Sequence, residues 1–305
     1  MKIAFVFSGQ GAQYVGMGKD LYETYDIVKK RLSQADEIFG ERLTKIMFSD
    51  QHKLSNTQYA QPAIFAMSAA IRDLLITSGV ASQGASGLSL GEYSAYYDQG
   101  VFDFEDGLRT IIHRAYFMNE AAKQAETSMV ALLGSLEQAQ ALVDSIDDAY
   151  IANVNAEKQI VVGGSKEAMS MLVAKASEFG IKRAIHLDTS GAFHTPYMEK
   201  ASKDFAEYVK NVKLNPVKDA LYLNTIGERS KDDIKSEMVS QITSPVLFDK
   251  MIRSMIRDGF DCFVEIGPKD TLKRLIKKID KKLDVFNIED KQTFEAFMQW
   301  YKEMR

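Results

Sequence analysis

The pattern of apolar and polar positions along the chain predicts a protein in which strands and helices alternate. Short apolar runs at residues 3–7 and 262–266 are typical of strands that are buried on both faces of a parallel sheet. Stretches at residues 19–39, 63–77 and 104–123 carry apolar residues at helical spacing. The fold class that follows is α/β.

Less regular segments separate these elements. Residues 41–56 are mostly polar and predict a connection, and residues 80–88 are only weakly strand-like. Gln61-Pro62 is predicted to open the next helix, because proline is favoured in the first turn of a helix. A further helix is predicted at residues 232–242.

The middle of the chain has a regular order of its own. Strand-like and helical stretches follow one another as β-α-β-β-α-β, the order of a ferredoxin-like domain, at residues 128–133, 137–146, 150–155, 159–163, 166–179 and 182–187. We therefore expect a small ferredoxin-like domain at residues 126–189. It would be inserted in a large domain formed by residues 1–125 and 190–305.

A candidate nucleophile lies in the segment Gly-Leu-Ser-Leu-Gly at residues 87–91. This is the G-x-S-x-G pattern of a strand-to-helix turn that forces the serine, Ser89, outward. The residues two before and two after it must be small, because the turn brings them together. The alternative interpretation is a Gly/Ser-rich surface turn.

The first apolar run ends in a glycine-rich loop, Ser-Gly-Gln-Gly-Ala-Gln, at residues 8–13. A strand that enters such a loop is typical of a ligand-contacting turn in α/β proteins, although a plain β-turn fits as well. The loop lacks the Gly-Lys-Ser/Thr of a nucleotide-binding P-loop and the glycine spacing of a dinucleotide site.

Two further side chains are candidates for chemistry. Arg114 lies among apolar residues on a predicted helix and shares a face with Met118. It is either a salt-bridged surface residue or a guanidinium that clamps a carboxylate. His194 lies in a loop bounded by glycine and proline, and is the best placed of four histidines to serve Ser89 as a base. A histidine merely hydrogen-bonded in its loop is the alternative.

Composition narrows the function classes. The chain has 305 residues and a net charge of −4, which gives no indication of nucleic-acid binding. No apolar run reaches the about 18 residues of a membrane span, and the first apolar run is too short for a signal peptide. The single cysteine, Cys262, excludes an internal disulfide and favours the cytoplasm. A strongly basic helix at residues 271–279 is either a solvated face or a docking patch for an acidic partner.

Several segments together resemble one family, the bacterial malonyl-CoA:acyl-carrier-protein transacylases, and more distantly the acyltransferase domains of polyketide synthases. The similarity extends from about residue 2 to about residue 290. Any one of these segments is a weak indication, but their occurrence together in this order is highly specific. The segments are Gly9-Gln10-Gly11-Ala12-Gln13, Gln61-Pro62-Ala63, residues 89–95, Arg114 with Phe117-Met118, Asn153-Val154-Asn155, residues 190–194, Ser244-Pro245-Val246 and Glu265-Ile266-Gly267-Pro268.

The resemblance implies an α/β-hydrolase-like large domain and a two-step transfer. Ser89 would attack malonyl-CoA and pass the malonyl group to the phosphopantetheine thiol of acyl carrier protein. His194 would act as the base, oriented by a backbone carbonyl near Gln241 rather than by an acidic residue. The backbone N–H groups of Gln10 and Leu90 would form the oxyanion hole.

The resemblance also implies the substrate contacts and partners. Arg114 would bind the free carboxylate of malonate, with Met118 and Gln241 completing the substrate-binding set. Beyond malonyl-CoA as substrate, no cofactor and no metal are implied. We expect a monomer in the cytoplasm that works with acyl carrier protein and contacts neither nucleic acid nor membrane.

Three positions depart from the family pattern. Leu88 stands where histidine normally precedes the nucleophile, Ser8 stands where proline is usual, and Lys269 follows Pro268 where glycine is usual. An apolar side chain beside the elbow cannot donate or accept hydrogen bonds, so Leu88 affects turnover or the choice of acyl group.

Two alternatives therefore stay open. One is a related acyltransferase or thioester hydrolase of a polyketide-type pathway, although Arg114 favours a dicarboxylic acyl donor. The other is a non-catalytic subunit that binds carrier protein, which the presence of both Ser89 and His194 disfavours.

Overall fold

The structure is a computed structural model, and it describes residues 1–231 and 233–304. The chain separates into two compact units, each built from more than one segment. The first unit contains Met1–Ala115, Val212–Tyr222 and Met255–Arg305, and the second contains Tyr116–Asn211 and Leu223–Ser254.

Strands and helices alternate along the described chain. In order they are β1 (Ile3–Phe7), α1 (Lys19–Thr24), α2 (Asp26–Phe39), α3 (Leu43–Ser49), α4 (Gln51–Leu54), α5 (Thr57–Thr77), β2 (Gly84–Gly87), α6 (Gly91–Asp98), α7 (Phe104–Ala122), β3 (Thr127–Leu132), α8 (Leu136–Asp144), β4 (Ala149–Ala156), β5 (Gln159–Ser165), α9 (Lys166–Lys175), β6 (Ala184–Leu187), α10 (Glu199–Val209), β7 (Tyr222–Leu223), β8 (Glu228–Arg229), α11 (Ile234–Ser240), α12 (Phe248–Arg257), β9 (Cys262–Ile266), α13 (Thr271–Ile279), β10 (Asp284–Ile288) and α14 (Lys291–Glu303).

The first unit is built on a parallel sheet of four strands in the order β10-β9-β1-β2. Every residue of β1 and β9 is buried, as their largely apolar sequences predict, although β9 includes Glu265. Phe7, the last residue of β1, pairs with Gly87 on one side and Ile266 on the other. The carboxyl ends of three strands therefore meet at one edge of the sheet, where ligands bind in open α/β sheets.

The weak strand signal before the elbow has a packing cause. All four residues of β2 are buried although none is large. A Cβ added at Gly84 would lie 2.4 Å from the ring of Phe260 and 3.1 Å from the carbonyl oxygen of Ala220. Larger residues do not fit in this strand, so its burial leaves no hydrophobic pattern.

The helices of the first unit correct three predictions. The helix predicted at residues 19–39 is broken at Tyr25, whose extended backbone separates α1 from α2. The predicted connection at residues 41–56 contains α3 and α4. Helix α5 begins at Thr57, where the Asn56 side chain caps it, so Pro62 lies inside the helix instead of opening it.

The second unit is built on an antiparallel sheet in the order β4-β5-β3-β6, over which α8 and α9 pack. Ser135 and Ser165 cap these helices with their side chains. The predicted β-α-β-β-α-β order is present. The α/β class is thus confirmed, with a four-stranded parallel sheet and a four-stranded antiparallel sheet, besides the short pair β7-β8.

Two predictions concern the later part of the chain. The helix predicted at residues 232–242 corresponds to α11, and Asp232 itself lies outside the described residues. No helix in the described ranges is both long and apolar enough to cross a bilayer.

Candidate active site

The segment after β2 forms a strained turn that ends in α6. Ser89 has a left-handed backbone with φ of 52°, which is unusual for a residue other than glycine. Helix α6 starts two residues later, so its first N–H groups, which have no partner inside the helix, face the turn. Ser89 is half-buried. This is the geometry of a nucleophile elbow.

The two glycines that flank Ser89 are required by close backbone contacts. A Cβ added at Gly87 would lie 2.1 Å from the carbonyl carbon of Gly91. A Cβ added at Gly91 would lie 2.1 Å from the carbonyl oxygen of Phe7. The predicted need for small residues on both sides of the serine therefore has a direct cause in the structure.

The glycine-rich loop after β1 lies against this turn. A Cβ at Gly9 would be 2.5 Å from the Leu88 carbonyl oxygen, so the two backbones touch at this point. The next residue, Gln10, and the residue after the serine, Leu90, therefore belong to neighbouring loop ends. These are the two residues whose backbone N–H groups the resemblance assigns to an oxyanion hole.

Helix α7 places Arg114 beside the elbow. The side chain is fully buried, and its Nη2 donates a hydrogen bond to Ser89 Oγ at 3.2 Å. Its Nη1 donates to Gln61 Oε1 at 2.7 Å, and the guanidinium lies 5.1 Å from the centre of the Tyr93 ring. Burial lowers the pKa of Arg114, while Tyr93 and Glu92 act in the opposite direction. The surface salt-bridge interpretation of Arg114 is wrong.

A chain of amide hydrogen bonds connects Arg114 to the loop after β1. Gln61, buried on α5, donates through Nε2 to Gln10 Oε1 at 3.1 Å. Gln10 in turn donates to Thr57 Oγ1 at 2.9 Å. The guanidinium and the Gln10 side chain are thus held by one network, which fixes the donors around Ser89 before any substrate binds.

In the second unit, His194 lies in a buried and strained loop. Its φ is 61°, its exposed fraction is 4%, and its Nδ1 lies 2.8 Å from the backbone oxygen of Gln241. A carbonyl can only accept, so Nδ1 carries the proton and Nε2 is left to accept one. The loop is anchored to β3, because the Ala192 N–H donates to Thr127 Oγ1 at 3.0 Å.

The sequence of this chain is similar to those of known proteins. The model of a family described as an acyl transferase domain matches residues 4–293. The chain belongs to the acyl transferase family. Among curated proteins, the malonyl CoA-acyl carrier protein transacylase of Bacillus subtilis (strain 168) is 35% identical over 310 residues, which cover 99% of this chain and 98% of that protein.

Solved structures have the same fold as this acyl transferase over 98% or more of its residues. The malonyl CoA-acyl carrier protein transacylase from Clostridium perfringens ATCC 13124 superposes with a TM-score of 0.96 at 35% identity, covering 100% of this chain and 98% of that one. A malonyl-transacylase in complex with its type II PKS acyl-carrier protein has a TM-score of 0.95 at 26% identity, covering 98% and 99%. The family resemblance of the sequence is confirmed.

The predicted site residues of this acyl transferase fall into two groups. Ser89, Arg114 and the Gln10 and Leu90 backbones lie in the first unit, where the contacts above bring them together. The second unit holds His194 and Gln241, which touch, and Met118, which is buried one turn after Arg114 on α7.

The sequence interpretation assigned no role to Gln61. One signal was available in the sequence, because Gln61 belongs to the Gln61-Pro62-Ala63 segment of the family resemblance. The structure adds that Gln61 is 1% exposed. In the parts of the chain that the structure describes, no group of three metal-ligating side chains is assembled.

A second buried polar residue lies near the loop after β1. Glu265 accepts hydrogen bonds from the N–H groups of Leu272 and Lys273 at 3.0 and 2.8 Å, and one from Ser8 Oγ at 3.4 Å. It therefore caps the start of α13. Burial raises the pKa of Glu265 to about 7 although the helix N–H groups lower it.

Proposed function

We propose that this acyltransferase transfers a malonyl group from malonyl-CoA to the phosphopantetheine thiol of acyl carrier protein, in fatty-acid biosynthesis. One observation carries the proposal: a buried guanidinium hydrogen-bonds to the serine of the elbow. The names of the relatives support the same reaction. Arg114 would bind the carboxylate of malonate, and an acyl group without one would leave a buried charge unpaired.

In the first step, Ser89 Oγ attacks the thioester carbonyl of malonyl-CoA. His194 Nε2 takes the serine proton, since Nδ1 already donates to the Gln241 carbonyl. The oxyanion is stabilised by the N–H groups of Gln10 and Leu90. The carbon–sulfur bond then breaks, His194 returns the proton to the CoA thiolate, and malonyl-serine remains.

The second step reverses the first with a new thiol. His194 deprotonates the phosphopantetheine thiol of acyl carrier protein, whose sulfur attacks malonyl-serine. The carbon–oxygen bond breaks, and the proton returns to Ser89 Oγ. The ester bond to Ser89 keeps the malonyl group on the enzyme between the two half-reactions of this ping-pong mechanism. Because Arg114 lies beside Ser89, it would hold the malonyl carboxylate in that intermediate as well.

The domain organisation, the location, the oligomeric state and the absence of a cofactor belong to the same proposal. We describe the domain built on the parallel sheet as α/β-hydrolase-like, supported by the elbow after β2. We describe residues 126–189, which form part of the second unit, as ferredoxin-like, supported by the strand order β4-β5-β3-β6. The proposed domain boundaries are residues 1–125 with 190–305, and 126–189.

We further propose a cytoplasmic monomer without cofactor. The cysteine usage is compatible with that location, since the chain has a single cysteine, Cys262, which is free and buried.

Intact-mass analysis after mixing with malonyl-CoA tests the proposal. Wild type should acquire one malonyl group, and Ser89→Ala should acquire none. Ser86→Ala is the matched control: it removes a buried hydroxyl from β2, three residues before Ser89, and no partner for that oxygen is found among the described residues. Absence of any adduct on wild type would sink the enzymatic proposal and leave the carrier-protein-binding subunit.

Leu88 favours a second candidate, a related acyltransferase or thioesterase with a different acyl choice. Its half-buried apolar side chain directly precedes Ser89. A panel of acyl-CoAs with wild type and Leu88→His separates the candidates. Preference for malonyl-CoA in wild type supports the first function; preference for another acyl group, or fast release of free acid, supports the second.

A further inference from the structure

Backbone strain marks two residues to which the proposed mechanism gives no role, and one of them lies in the same unit as the elbow. Among the described residues, four that are not glycine have left-handed backbones: Ser89, Asp148, His194 and Lys269. Such strain persists only where surrounding contacts enforce it, and it concentrates at functional sites. Two of the four are the proposed nucleophile and base. Lys269, with φ of 62°, lies in the same unit as Ser89.

The contacts of Lys269 connect the turn after β9 to the loop after β1. Its Nζ donates to the carbonyl oxygen of Gly11 at 3.1 Å, although the residue is exposed. Its backbone N–H donates to Glu289 Oε2 at 2.8 Å, and the same oxygen accepts from the Tyr14 hydroxyl at 3.0 Å. Lys269 therefore binds Glu289, directly after β10, through its main chain, and binds the loop after β1 through its side chain.

The Gly11 carbonyl is a sensitive point in that loop. Gly11 is exposed with φ of 96°, and a Cβ added to it would meet nothing within 4 Å. Its position therefore depends on polar contacts rather than on packing. The residue before it, Gln10, supplies both a proposed oxyanion N–H and the amide that bonds Gln61. The Gly11 carbonyl lies two peptide planes away from the Gln10 N–H, which belongs to the peptide between Gly9 and Gln10. A shift at Gly11 would reach that N–H by rotating the backbone of Gly11 and Gln10.

We propose that Lys269 is a positioning residue for acyl transfer. Its ammonium holds the Gly11 carbonyl and thereby fixes the direction of the Gln10 N–H toward the oxyanion on Ser89. This inference rests on the proposed function.

Glycine substitution separates this role from a purely structural one. Glycine adopts a φ of 62° without strain, so Lys269→Gly keeps the turn geometry and removes only the side-chain contact. If Lys269 serves only the turn, the glycine variant is as stable and as active as wild type. If the ammonium positions the loop, the variant is as stable but slower.

The experiment measures malonyl-serine formation by rapid quench and mass analysis, together with KM and the thermal midpoint. We expect Lys269→Gly to melt at or above the wild-type temperature. Its rate constant should fall about tenfold, the rate equivalent of one hydrogen bond lost from the transition state. The KM for malonyl-CoA should not change, because the oxyanion forms only after binding.

Two further variants complete the test. Lys269→Arg keeps a cationic donor and should recover most of the rate, whereas Lys269→Met should be as slow as the glycine variant. Lys282→Met removes an exposed charge after α13 and should behave as wild type. A wild-type rate in Lys269→Gly, or a loss matched by a drop in melting temperature, overturns the inference. Failure of wild type itself to form malonyl-serine instead overturns the proposed function, and this inference falls with it.

Discussion

The Arg114 guanidinium donates a hydrogen bond to Ser89 Oγ at 3.2 Å from a fully buried position. A second donor of the same group is held by Gln61. Because the cation is fixed next to the serine, an acyl chain attached to that serine with a carboxylate at its far end meets a preorganised partner.

Replacement of Arg114 by alanine should therefore change the choice of acyl group more than the chemistry. Malonyl transfer should lose about 3–5 kcal/mol of transition-state stabilisation, the cost of breaking a buried charge pair. Acetyl transfer should fall far less. Steady-state kcat/KM with malonyl-CoA and acetyl-CoA measures both. Arg109→Ala, on the exposed side of the same helix, is the control; equal losses with the two substrates would refute the clamp.

His194 should be required for the proton transfers and not for folding. His194→Ala is expected to slow malonyl-serine formation by about 10²–10⁴-fold, the usual contribution of a general base. His186→Ala, an exposed position on β6 in the same unit, should leave the rate unchanged. Quenched single-turnover measurements compare them, and similar rates in both variants would exclude His194 as the base.

The elbow glycines should be needed for stability. Gly91→Ala raises helix propensity at the start of α6, yet it places a Cβ 2.1 Å from the Phe7 oxygen. We expect a loss of about 3 kcal/mol or more in the free energy of unfolding. Gly40→Ala has open space at φ of 77° and should cost about 1 kcal/mol. Urea denaturation followed by fluorescence of Trp300, the only tryptophan, measures both.

Glu265 should make the free energy of unfolding fall as pH rises from about 4.5 to about 7. Its pKa is about 7 in the folded protein against an ordinary value of 4.5. Below pH 4.5 the Glu265 carboxyl is protonated in both the folded and the unfolded protein. Above pH 4.5 the unfolded chain releases the proton first, so the folded state loses stability until the pH passes about 7. The shift corresponds to about 3 kcal/mol.

Glu265→Gln has no proton to release and should lack this dependence. Its stability relative to wild type should therefore improve as pH rises over that range, even if it is less stable at pH 5 through lost helix capping. Urea unfolding of both proteins at several pH values tests this. A constant difference would contradict the raised pKa.

The parallel strands and the elbow were predictable because their signals are local. The run that forms β1 is apolar at every position, the run that forms β9 is apolar except at Glu265, and both strands have the predicted bounds. The glycines around Ser89 follow from the same short-range logic, since the turn itself brings them together.

The features that sequence did not predict depend on distant partners. Pro62 indicated a helix start, but the Asn56 cap and the buried residues after it extend α5 by a further turn. Strand β10, whose pattern is mixed, exists because it pairs with β9. The support that Gln61 gives to Arg114 joins residues 53 positions apart.

The contacts of Gly87 and Gly91 bear on how this site changes over evolution. Both glycines are held by the fold, so descendants that lose catalysis but keep the structure should keep them. The hydroxyl of Ser89 is held by a contact of the proposed chemistry, the hydrogen bond that Oγ accepts from Arg114. In a lineage without activity the two glycines should therefore persist, while the serine at position 89 is free to be replaced.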